Sequence, residues 1–117
     1  TVDIDPDTIN LASKGQWITA YIGLPAGYHP SQIDLTTVRL NNTVPAVTDT
    51  KYDFVTDPKS YITDRDGDGV LERMVKFDSA SVKVLLKPGD NVVVVNGKLS
   101  GWPNQPDFAG SDTVKAK

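Results

Sequence analysis

The sequence predicts an all-β protein, a sandwich of about seven short strands with one short helix, and three observations carry that reading. Fourteen of its fifteen acidic residues are Asp and one, Glu72, is Glu. Glu suits helix interiors, whereas Asp competes with helical hydrogen bonding and favours caps, turns and metal loops. Val, Ile and Thr supply 31 of the 117 residues, the β-branched enrichment expected of strands. Nine Gly and eight Pro are spread along the chain and cut it into short segments, which is how a sandwich reads in sequence.

The elements follow in order. Thr1 to Asp5 is a short strand stopped by Asp5-Pro6-Asp7, and Ile9 and Leu11 alternate before the turn at Ser13-Lys14-Gly15. Gln16 to Gly23 places Trp17, Thr19 and Tyr21 on one face and Ile18, Ala20 and Ile22 on the other; with both faces largely apolar, it belongs in the middle of a sheet. Leu24 to Pro30 is a loop. Ile33 to Leu40 is a strand whose apolar phase slips by one at Thr36-Thr37, which predicts a bulge. Val44 to Val47 and Tyr52 to Val55 are short strands, the first marked as an edge by Pro45, and Asp57 to Thr63 is a loop.

Leu71 to Phe77 alternates Leu71, Arg73, Val75 and Phe77 against Glu72, Met74 and Lys76, a strand. The helix runs from Ser79 to Leu86, with Asp78 as N-cap, Val82, Leu85 and Leu86 along one stripe, and Pro88-Gly89 as its stop. Asn91 to Leu99 carries Val92 to Val95, apolar on both faces, and is expected to be a buried interior strand. Ser100 to Asp107 loops around Trp102, and Phe108 to Lys115 is the last strand.

A chain of 117 residues supports a single core, so residues 1–117 form one domain. No apolar run approaches the ~20 residues of a membrane-spanning helix, and Thr1 already lies in a patterned segment, as expected of an excised domain or a processed chain. The absence of Cys excludes disulfides, thiol nucleophiles and zinc thiolate sites. The net charge of -3 is concentrated in one window, Asp64 to Glu72, outside which eleven acids meet eleven bases. There is no basic stripe for nucleic acid or anionic lipid.

That window, Asp64-Arg65-Asp66-Gly67-Asp68-Gly69-Val70-Leu71-Glu72, is the one motif with specific chemistry. Calcium takes six to eight oxygen ligands, and alternate residues of a tight loop converge on one point. Asp64, Asp66 and Asp68 stand at the first, third and fifth positions, Gly69 permits the sharp turn at the sixth, Val70 offers its carbonyl at the seventh and Glu72 fits the ninth. Three carboxylates within five residues repel one another without a counter-ion. The loop departs from an EF-hand, because Val75 stands where the bidentate Glu belongs and no helix flanks it. Its remaining ligands are expected from elsewhere, with Asp57 and Asp78 as the nearest candidates. The competing reading is a solvated acidic hairpin whose Asp-Gly pairs merely make turns.

The chain resembles an uncharacterised module that recurs in bacterial and archaeal secreted and cell-surface proteins. The residues that carry the resemblance are Val2-Asp3-Ile4-Asp5-Pro6, Ile9-Asn10-Leu11, Ser13-Lys14-Gly15, Ile33-Asp34, Val38-Arg39-Leu40, the Asp-x-Asp-Gly-Asp-Gly loop, Lys76-Phe77-Asp78, Gly97-Lys98-Leu99 and Phe108 to Asp112. It implies an immunoglobulin-like β-sandwich without assigned catalytic activity, attached to larger exported proteins. The chain departs from that pattern at Trp102 to Pro106 and in extra length at Tyr52 to Thr63.

The expected role is therefore a non-catalytic structural or adhesion module, extracellular or at the cell surface and steadied by Ca2+. Expected partners are neighbouring domains of a parent protein and a polysaccharide or surface protein; as an isolated domain it is expected to be a monomer. Catalysis has thin support: His29 is the single histidine, in a loop, and no nucleophile elbow or phosphate loop occurs. The rival role is a carbohydrate-binding module that stacks sugars on the loop aromatics Trp102, Tyr28 and Tyr61, for which coplanar exposed rings are the geometric requirement.

Overall fold

Alternating inward and outward side chains fold the chain into two sheets packed face to face, in a computed structural model that describes residues 1–65 and 67–117. Among the described residues the strands are β1 (Val2–Asp5), β2 (Thr8–Ile9), β3 (Trp17–Gly23), β4 (Ile33–Leu40), β5 (Val44–Pro45), β6 (Ile62–Thr63), β7 (Glu72–Asp78), β8 (Gly89–Leu99) and β9 (Asp107–Ala116). The strands β2, β5 and β6 are only two residues long, too short to show a period of two. One sheet has the order β1-β3-β7-β6 and the other β2-β9-β8-β4-β5. All neighbours are antiparallel except β2 with β9.

The core lies between the sheets. Ile4, Ile18, Ala20, Ile22, Val75 and Phe77 from one layer meet Val38, Leu40, Val93, Val95 and Val114 from the other, all at most 3 % exposed. Each large apolar side chain buried there contributes about 1.5–3 kcal/mol. The apolar phase of β7 also carries Arg73 inward. Its Nη1 donates to the Ile33 carbonyl at 3.0 Å, tying the two sheets together, while its Nε has no hydrogen-bond partner among the described residues. Burial pushes the pKa of this guanidinium down from its ordinary value.

The slip in β4 is a real irregularity: between the pairs Asp34↔Lys98 and Arg39↔Asn96 the register shifts, so that Leu35 to Val38 lie opposite Gly97 alone. Several expectations need correction. Tyr52 to Val55 is not a strand; it leads into a helical turn, α1 (Asp53–Thr56). There the rings dock on the outer face of the β1-β3-β7-β6 sheet. Phe54 stacks on Tyr52 with centroids 5.2 Å apart, and both meet Trp17 edge-on. Beneath Phe54, Lys76 donates to Thr19 Oγ1 at 3.0 Å, and burial pushes its pKa down, opposed by Asp5.

The segment Val44 to Val47 forms a strand only over Val44–Pro45, because Val47 N turns away to the Lys76 carbonyl of the opposite sheet. Finally, β8 is interior to its sheet but not buried on both faces. Val93 and Val95 point into the core, whereas Val92 and Val94 are 65 % and 39 % exposed. A run of valines carries no phase that would distinguish the two cases.

The predicted helix is shorter than its stripe: α2 (Ser79–Lys83) starts where Asp78 accepts from Ser81 N at 3.0 Å, and Val82 is fully buried. It links the two layers by carrying the chain from β7 to β8.

The open side of the sandwich, between β1 and β9, is closed by a side chain instead of a ladder. Asp112 reaches across from β9 and accepts from Ile4 N at 2.8 Å, and from Thr113 N at 2.9 Å. Closure is close at Gly110, where a Cβ would lie 2.7 Å from Val2 Cγ2 and 3.3 Å from Val2 N. Gly110→Ala is expected to push β1 outward and cost about 2 kcal/mol in urea unfolding, within the range of overpacked sites; an unchanged midpoint contradicts that packing. With Val2 beside Gly110 and Ile4 beside Asp112, β1 and β9 run in the same direction. Thr1 accordingly lies at one end of the molecule, bonded to Gly23, and Lys117 at the other, bonded to Ile9.

Candidate metal centre

The acidic window joins β6 to β7. Because Ile62 pairs with Arg73 and Thr63 with Glu72, the ladder holds the two ends of the loop together. Asp64, the residue after Thr63, leaves the ladder just beyond the Thr63–Glu72 pair. Within the loop Gly67 and Gly69 adopt φ of +74° and +86°, a conformation that favours glycine over other residues. Those reversals turn the backbone back on Asp64, whose Oδ2 accepts from Gly69 N at 2.9 Å. Asp68 Oδ1 accepts from Val70 N at 2.8 Å, a second local closure. The first and sixth positions of the predicted cage are thus linked across the loop.

Asp66, the third-position carboxylate, lies outside the described residues. Asp64 and Asp68 are exposed, while Glu72 is 5 % exposed at the start of β7. Val70 is 40 % exposed, and Gly23 lies against both Val70 and Glu72. The twelfth loop position, Val75, is buried in β7 as a core residue and supplies no oxygen from its side chain.

Arg65, the one base in the window, is turned out of the loop. Its guanidinium stacks 3.9 Å above the Tyr21 ring and pairs with Asp3 at 2.6 Å, a bond that raises its pKa. Neither distal candidate is part of the loop. Asp78 caps α2 at the far end of β7, opposite Trp17 and about 20 Å along the strand from Glu72. Asp57 accepts from Ser60 Oγ at 2.7 Å.

A second acidic group was not legible in the sequence. Asp3, Asp7 and Asp112 bring carboxylate oxygens within 4.8 Å of one another. They come from three segments, and only the β1–β9 closure makes them neighbours. Asp3 is engaged by Arg65 and Asp112 by Ile4 N.

The three loop aromatics do not assemble into one surface. Tyr28 and Trp102, 37 % and 38 % exposed, lie 5.3 Å apart but tilted by 58°. Tyr61 is elsewhere, edge-on to Phe54 in the cluster over β3. A coplanar platform for sugar stacking is therefore not formed by these rings. His29 caps the 3₁₀ turn Pro30–Gln32, its Nδ1 accepting from Ser31 N at 3.1 Å.

Among the described residues no helix is long and apolar enough to cross a membrane. Set beside known proteins, the chain matches no family model, and no curated protein or solved structure gives a significant match.

Proposed function

We propose that the chain is a non-catalytic, immunoglobulin-like module of a larger secreted or cell-surface protein, serving as a spacer or adhesion unit and steadied by Ca2+ in the loop between β6 and β7. The observation that carries this reading is the closure of that loop: the Thr63–Glu72 pair holds its two ends together, and the Asp64 carboxylate is bonded across it to Gly69 N. A hard cation that takes six to eight oxygens fits a set made of the Asp64, Asp66, Asp68 and Glu72 carboxylates and the Val70 carbonyl. Its role there is to neutralise the acids and fix where β7 begins. The strand order supports the immunoglobulin-like part. One layer reads β1-β3-β7-β6 and the other β9-β8-β4-β5, with the chain changing layers between β1 and β2, and this parallels the two sheets of such sandwiches. Calorimetric titration with CaCl2 is expected to give one site per chain, with a dissociation constant of ~0.1 to 1 mM, as in extracellular modules. Absence of binding heat and of any calcium-dependent change in stability overturns the calcium part.

A further inference from the structure

The outward face of the β8–β9 hairpin is exposed except at Asn96, which donates to Asn42 Oδ1 at 2.9 Å, and its charge pattern is complementary to itself. Cross-strand pairing sets Asp90 opposite Lys115 at one end and Lys98 opposite Asp107 at the other; the latter two form an ion pair at 2.7 Å. Along β8 the sign therefore runs from negative to positive, and along β9, in the same direction across the face, from positive to negative. Between those charged rungs lie Val92 and Val94, both exposed, opposite the small side chains of β9.

We propose that this face docks a second copy of the same chain. A two-fold axis parallel to the strands and passing between β8 and β9 brings the two faces together with their strands aligned, the geometry of packed β-sheets. It sets Asp90 against Lys115 of the second copy and Lys98 against its Asp107, while Val92 and Val94 lose water together. A face bearing one sign of charge could not pair with itself in this way. At the border of the face, Asp34 lies opposite Lys98 on β4 and accepts from Thr36. Arg39 folds its guanidinium back onto the Thr36 and Val38 carbonyls. Neither residue breaks the pattern of the hairpin.

The footprint limits the strength. Eight residue steps along β8 and three strands across span about 26 by 15 Å, or roughly 400 Å² per copy. At about 800 Å² in total that is well below a stable interface and at the lower end of weak, transient ones, so association is expected only at high protein concentration. Sedimentation of the full chain between ~10 µM and ~1 mM is expected to show a reversible rise toward dimer.

Charge reversal tests the pairing itself. Asp90→Lys with Asp107→Lys makes all four charged positions positive, and Lys98→Asp with Lys115→Asp makes them negative. Each double variant is expected to remain monomeric alone, and an equimolar mixture is expected to associate at least as well as the wild type. Val92→Lys, an independent single change at the centre, is expected to disperse the dimer; circular dichroism checks that all variants fold. A wild-type chain that stays monomeric at ~1 mM, a mixture that behaves as the sum of its components, or unchanged association in Val92→Lys overturns the proposal.

Discussion

Chelating calcium is expected to lower the melting temperature of the chain by about 10 °C relative to a sample at free calcium ~100 times the dissociation constant. At that ratio a ligand bound only by the folded state contributes about 2.7 kcal/mol. A chain of this length has an unfolding entropy of about 0.25 kcal/mol/K near its midpoint, which converts that stabilisation into the stated shift. Asp64→Ala should abolish the calcium response and, even in chelator, should cost about 1 kcal/mol through loss of the bond from Gly69 N. The measurement is a pair of melting scans for each protein. Identical midpoints with calcium and with chelator in the wild type exclude the site, and a full response retained in Asp64→Ala excludes that residue as a ligand.

Phe77→Ala is expected to cost about 3 to 5 kcal/mol, the largest effect of any single truncation proposed for this chain. Phe77 is 0 % exposed, stands opposite Ile18 in the ladder and faces the second layer from the middle of the molecule. Truncation leaves a cavity that the rigid strands on both sides cannot close, so the lost transfer energy and the void add. Chemical denaturation should show a lower midpoint with the slope unchanged. A loss below about 1 kcal/mol means that the two layers are not packed on this ring.

The contrast between what could be read from the residues and what could not follows from the range of the interactions. Strand β3 was legible because its alternation spans seven residues, and Asp78 was legible as a cap because its partner is three residues away. The kink in β4 left a local trace, the phase slip at Thr36-Thr37. In the acidic loop the spacing of Asp64, Asp68 and the glycines was visible, but the pairing of Thr63 with Glu72 that closes its mouth was not. Tyr52 to Val55 looks like a strand by composition, yet its rings find Trp17 on the far side of a sheet, and docking overrides β propensity. The Asp3, Asp7 and Asp112 cluster and the bond from Ile4 N to Asp112 join residues more than a hundred positions apart in sequence. No periodicity encodes such pairs. Val92 and Val94 illustrate the opposite failure: hydrophobicity without alternation hides which side of a strand meets water.

The parallel course of β1 and β9, with residues 1 and 117 at opposite ends of a molecule 41 Å long, has a mechanical consequence. Tension applied through those two ends pulls along the strands. It loads the β1–β3 and β8–β9 hydrogen bonds in shear, so that many must break at once, where peeling would break them one after another. The Asp112 bond to Ile4 lies directly in that path, and a module built this way resists being stretched along its length.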